Sequence, residues 1–125
     1  MKKKNNPIVL HPLETRFLLD GAAPISFGPS HTYISGHDVV SVAAADLNGD
    51  GIPDLVTIDN YDTVNVLMGN GDGTFKAPTT IYTGNDTLPA PHGIDIACAD
   101  VTGDGKQDII AVDSAEQTLF LFLGT

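Results

Sequence analysis

The residues of this chain best equipped for chemistry are aspartates set at alternate positions in two short, glycine-bearing loops. In Asp46-Leu47-Asn48-Gly49-Asp50-Gly51-Ile52-Pro53-Asp54, positions one, three, five and nine are Asp46, Asn48, Asp50 and Asp54, all oxygen donors. The same nine-residue pattern returns 54 residues later as Asp100-Val101-Thr102-Gly103-Asp104-Gly105-Lys106-Gln107-Asp108, with Asp100, Thr102, Asp104 and Asp108 in the donor positions. A hard cation such as calcium takes roughly six to eight oxygen ligands, and alternate side chains of a tight loop can point at one centre. The backbone carbonyl at position seven, from Ile52 or Lys106, would add to each set. Gly51 and Gly105 at position six permit the positive φ that turns the chain around an ion. About two Ca2+ ions are therefore expected, one per loop. Both loops carry three carboxylates, so charge does not separate them. Thr102 offers a neutral hydroxyl, a poorer donor than the Asn48 amide oxygen, and the second site is expected to be the weaker.

Other metal loops begin in a similar way but fail further on. An EF-hand needs a bidentate glutamate at position twelve; here that position is Thr57 or Ala111. Dockerin-like modules fail on the same residue, and both need helices where this chain has strand-like flanks. His37 and His92 precede the first strand of each repeat and read as turn or edge residues, since no further ligands accompany them. The single cysteine, Cys98, sits in an apolar run and reads as a small core residue, with no internal disulfide possible. There is no local Ser/His/Asp grouping, no phosphate-binding glycine loop and no cysteine cluster, so nothing commits the chain to catalysis.

The loops are held by apolar, β-branched runs. Val39–Ala45 leads into the first loop and Gly93–Ala99 into the second; Leu55–Asp59 and Ile109–Asp113 follow them; Val64–Gly69 and Leu119–Gly124 come next, with one residue inserted in the second copy. Such short runs bounded by Gly, Asn and Asp are strands, and no segment keeps a helical period. Asn70-Gly71-Asp72-Gly73 is a turn between the third strand and a fourth near Thr79–Tyr82. The fold class expected is all-β, with antiparallel four-stranded meanders of the kind that form propeller blades. Phe27–Gly36 also aligns without gaps on Phe75–Gly84, so residues 25–36 read as the outer strand of a blade whose first three strands are absent. The organisation expected is a leader at 1–24, that outer strand at 25–36, a complete repeat at 37–84, and a second repeat at 85–125 that lacks its last strand. About two blade-equivalents do not close a propeller, which typically needs about four to eight. Further blades of a longer chain, or self-assembly, are expected to complete a ring; two-blade subunits would give six or eight blades, never seven.

Charge narrows the partners. The chain has sixteen acidic against six basic residues, and fourteen of the acids are aspartate. Lys2, Lys3, Lys4 and Arg16 lie at the start, so from residue 17 only Lys76 and Lys106 oppose fifteen acids. Such a body repels nucleic acid, whose recognition needs a basic surface. No apolar stretch reaches the ~18–20 residues of a membrane span. Ile8-Val9-Leu10 is too short for the apolar region of a cleaved secretory signal, which runs to about 7–15 residues.

The segments VAAADLNGDGIPDLV, VNVLMGNGDGTF and IACADVTGDGKQDIIAV resemble the FG-GAP/VCBS repeat family, whose fold resembles the calcium-binding blades of integrin α-subunit propellers. The resemblance covers about residues 37–125. It implies a secreted or cell-surface β-propeller in which structural calcium occupies the loop between a blade's first two strands. Adhesion, or recognition of a protein or glycan ligand, is the function it implies. The alternative is a fragment of a polysaccharide-acting enzyme built on a similar propeller. Its catalytic residues would have to lie elsewhere, because the only insertion, Asn85–Ala90, is poor in acid–base groups. A second resemblance covers residues 13–23, LETRFLLDGAA, and is to the LEPR-type N-terminal motif of large bacterial exported proteins, with Thr15 in place of the usual proline.

Overall fold

The computed structural model describes residues 25–84 and 93–125. The leader with its LEPR-like motif, the Asn85–Ala90 insertion and His92 lie outside the described residues.

Among the described residues, seven strands form two antiparallel sheets. The first holds β1 (Val39–Ala45), β2 (Asp54–Asp59), β3 (Val64–Leu67) and β4 (Thr79–Tyr82) in that order. The second holds β5 (Gly93–Ala99), β6 (Asp108–Asp113) and β7 (Thr118–Phe122). Each is a meander, and the all-β expectation holds. The strands begin and end within a residue or two of the apolar runs, because each run is bounded by residues that favour turns over ladders. Among the described residues no helix is long and apolar enough to cross a membrane.

Register decides which side chains meet. Val56 pairs with Val66 and Ile58 with Val64, so these four share one face of the first sheet. Ile96 pairs with Ala111 and Cys98 with Ile109 on one face of the second. The two faces pack together into a single core of Val56, Ile58, Val64, Val66, Ile96, Ile109 and Ala111. Tyr82 at the end of β4 reaches over to the second sheet, with ring centroids 4.9 Å from Phe120 and 5.7 Å from Phe122. The Ser41 hydroxyl donates to Asp95 at 2.6 Å, joining β1 to β5.

The segment expected to be an outer strand, residues 25–36, carries no strand pairing. A strand needs a ladder partner, and residues 31–36 instead engage side chains on the first sheet's other face. The Ser35 carbonyl accepts from Asn65 Nδ2 at 2.7 Å and Thr57 Oγ1 at 3.2 Å. The Tyr33 hydroxyl accepts the Phe75 amide at 2.9 Å, and its ring stands edge-on to Phe75. These bonds explain how Thr57 and Asn65 can be buried: each polar group has a partner.

Candidate metal loops

Both aspartate loops occupy the same place, between the first and second strands of their sheets. Inside each, the first aspartate organises the turn. Asp46 Oδ1 accepts the amides of Gly49 (2.8 Å) and Asp50 (3.1 Å), and Oδ2 accepts that of Gly51 (2.8 Å). Asp100 repeats this with Gly103 (2.6 Å), Asp104 (3.2 Å) and Gly105 (2.8 Å). These amides can converge only because positions four and six have φ between 76° and 87° in both loops, a region in which a side chain is strained. Gly51 and Gly105 were expected to serve this role. Gly49 and Gly103 at position four share it.

The amide of the glycine at position six, above all, holds the Asp46 and Asp100 carboxyls below the ordinary carboxylate range. Both are therefore ionised at neutral pH. Position five lies beside them. The Asp50 amide also donates to Asn48 Oδ1 (2.9 Å), Asn48 Nδ2 donates to Asp50 Oδ2 (2.8 Å), and Asp50 Oδ1 accepts the Ile52 amide (2.8 Å). In the second loop Asp104 Oδ1 accepts the Lys106 amide at 3.0 Å, and the Thr102 hydroxyl lies 3.4 Å from Asp100 Oδ1. Asp46, Asn48 and Asp50 thus gather at one end of their loop, and Asp100, Thr102 and Asp104 at the same end of theirs.

Position nine is placed differently. Asp54 and Asp108 are fully buried, and each ties its loop to the chain beyond the third strand. Asp54 Oδ2 accepts the Leu47 amide (3.1 Å) and Oδ1 the Gly69 amide (2.8 Å). Asp108 Oδ2 accepts Val101 (2.9 Å) and Thr102 (3.3 Å), and Oδ1 accepts Gly124 (2.8 Å). This clasp requires glycine at 69 and 124: a Cβ there would overlap the carbonyl oxygens of Pro53 and Gln107.

By chemistry the donor set fits a hard divalent cation, since every polar side chain in it offers oxygen and three in each loop are carboxylates. By placement, among the described residues no three His, Cys, Asp or Glu side chains are grouped to hold one ion. The carboxylates satisfy the loop's own amides, and the ninth is committed to the clasp.

A second pair of repeated aspartates has a structural task that the sequence reading did not assign. Asp59 Oδ1 accepts the amides of Tyr61 and Thr63, both at 2.9 Å, and Oδ2 accepts that of His37 at 3.0 Å. Asp113 Oδ1 likewise accepts the amides of Ala115 (2.7 Å) and Glu116 (3.2 Å). Their 54-residue spacing, equal to that of the loops, was the available signal. His37 packs its ring edge-on against Tyr61. Cys98 is partly buried against the core, and burial pushes its thiol pKa up.

No curated protein and no solved structure matches the chain. The sequence model of FG-GAP-like repeats matches residues 46–111, more than half of the chain. That span starts at the first aspartate of the first loop, takes in the whole of the second, and ends in β6. The chain belongs to the FG-GAP-like repeat family.

Proposed function

We propose that the chain is a calcium-binding, propeller-type repeat module of an extracellular or cell-surface protein, in which the metal is structural and the sheets serve adhesion or the recognition of a protein or glycan. The observation that carries this reading is the identity of the two loops. Two segments 54 residues apart place oxygen donors at the same positions, differing only in Asn48 against Thr102, and share glycine conformations and the same carboxylate-to-amide bonds. Asp46, Asn48 and Asp50, with the Ile52 carbonyl, would form one ligand set, and Asp100, Thr102 and Asp104, with the Lys106 carbonyl, the other. Asp54 and Asp108 would join them by loosening one bond of the clasp. A bound ion would compensate the charge of the loop carboxylates.

The test is a calorimetric titration with calcium, followed by thermal melts of the same samples. Two ions per chain, the second weaker, together with a rise in melting temperature are expected. Asp50→Ala should remove the tighter event and leave the other. Absence of any heat or thermal shift would overturn the metal reading while leaving the fold untouched.

A further inference from the structure

At the β2–β3 turn, the end of the first sheet opposite its aspartate loop, lies a cavity of about 370 Å3. Among the described residues it is lined by His37, Tyr61, Thr63 and Thr83. Small-molecule sites typically measure about 300–1,000 Å3, so this one has room for a single small ring.

One side chain holds most of its walls from below. Asp59 is 1% exposed, and its carboxylate accepts the backbone amides of His37, Tyr61 and Thr63. Thr83 is placed by its neighbour. A Cβ on Gly84 would lie 2.7 Å from the Tyr61 carbonyl oxygen, so glycine is what lets the chain after β4 come this close to the turn. Walls fixed before a ligand arrives cost little ordering entropy on binding.

The repeat shows which part of this arrangement the fold needs. In the second sheet Ala115 stands two residues after Asp113, as Tyr61 stands two after Asp59, and its amide makes the same bond. The turn therefore forms without an aromatic side chain. Tyr61 is 43% exposed, so its ring does not serve to fill the core. It meets His37 with ring centroids 6.2 Å apart and planes at 81°, and the two rings make a corner. Thr63 and Thr83 bring hydroxyls to the same cavity, and the polar tips of Tyr61 and His37 can donate or accept.

This combination selects a ligand by its chemistry. Aromatic rings favour an apolar patch, and the hydroxyls favour hydrogen-bonding groups around its rim. Among the described residues the lining has no lysine, arginine or carboxylate to attract a charge. The Asp59 carboxylate beneath is committed to its three amides. An anion is further disfavoured by a body with fifteen acids against two bases from residue 17. A pyranose ring, with a C–H face and a rim of hydroxyls, meets these conditions.

We propose that this cavity binds one neutral pyranose unit of a glycan, its C–H face on Tyr61 and its hydroxyls bonded by Thr63, Thr83 and the His37 ring. The proposal rests on the recognition reading above, to which it gives a site and a ligand class, and it does not require that the loops bind calcium.

Titration of the isotope-labelled chain with methyl glycosides of glucose, galactose, mannose and N-acetylglucosamine, followed by amide NMR, tests it. At least one glycoside should shift the His37, Tyr61 and Thr63 amides saturably, and methyl glucuronide should bind more weakly. Tyr61→Ala should weaken the binding about tenfold, as loss of an aromatic stack does. Tyr61→Phe should retain most of it, and Thr63→Val should lose part. The same spectra establish that each variant is folded. Saturable binding that Tyr61→Ala and Thr63→Val leave unchanged would place glycan recognition elsewhere on the chain, overturning the site and sparing the recognition reading. No response to any glycoside anywhere in the spectrum would overturn the proposal and glycan recognition together. A response of these amides to N-acetyl-lysine methylamide and to no glycoside would overturn it in favour of a basic peptide side chain.

Discussion

At the scale of single residues, the aspartates divide by what their oxygens touch. Asp50 lies on an exposed loop, so Asp50→Ala should shift metal-free stability by no more than about 0.5 kcal/mol while abolishing the calcium response of its loop. Asp54 is buried and holds two backbone amides. Asp54→Ala should therefore destabilise the metal-free chain by about 1–3 kcal/mol for each amide left unpaired, as read in urea melts with a chelator present. Equal effects of the two substitutions without calcium would refute this division of labour. Asp95 makes a separate prediction. The Ser41 hydroxyl, and after it the Ile96 amide, hold its carboxyl below the ordinary range. A carboxyl whose folded-state pKa is depressed stabilises fully above its unfolded value of about 4, and that contribution is lost as pH falls through the folded value. Ser41→Ala should move the Asp95 titration upward toward the ordinary value, measured by carboxyl-carbon NMR.

At the scale of elements, the β2–β3 and β6–β7 pairs are each closed by a glycine, Gly69 and Gly124, that admits a neighbouring backbone. Gly69→Ala would drive a Cβ into the Pro53 carbonyl, whereas nothing lies within 4 Å of a Cβ at Gly28. The first substitution should cost about 1–3 kcal/mol, the usual range for overpacking, and the second should be close to neutral in the same thermal melt. The strands themselves were legible from apolar runs and turn residues, because a strand's local pattern is set by its neighbours in sequence. Residues 25–36 show the limit of that signal. Their resemblance to the β4 region is real in sequence, yet strand structure depends on a ladder partner, and here Ser35 bonds to side chains of Thr57 and Asn65 instead.

At the scale of the whole molecule, the two sheets share one core and should unfold together. Ile58 lies in that core, on the first sheet. Ile58→Ala should cost about 2–5 kcal/mol and reduce hydrogen-exchange protection in β6 as well as β2. Protection lost in the first sheet alone would show that the sheets are independent. If calcium binds only the folded chain, each site should add about 2.7 kcal/mol when free calcium reaches one hundred times its Kd. A calcium-dependent rise in melting temperature that saturates early would contradict that linkage.

The repeat, the strands of both sheets, the loop positions and the family are legible in the order of amino acids, because each depends on residue types at short or regular spacing. Gly51 and Gly105, for example, were identifiable from their place in the nonapeptide. What each polar group satisfies is set by the folded arrangement. Asp54 and Asp108 look like ligands by spacing, but their amide partners include Gly69 and Gly124, fifteen and sixteen residues away. Asp59 and Asp113 look like ordinary strand ends until the turns they hold are seen. The same is true of the faces: Val64 and Leu119 are equivalent letters in the repeat, and only packing makes one a core residue and leaves the other exposed. Burial is a property of what lies opposite a side chain, and that is fixed by register and by sheet-on-sheet contact rather than by the residue or its neighbours.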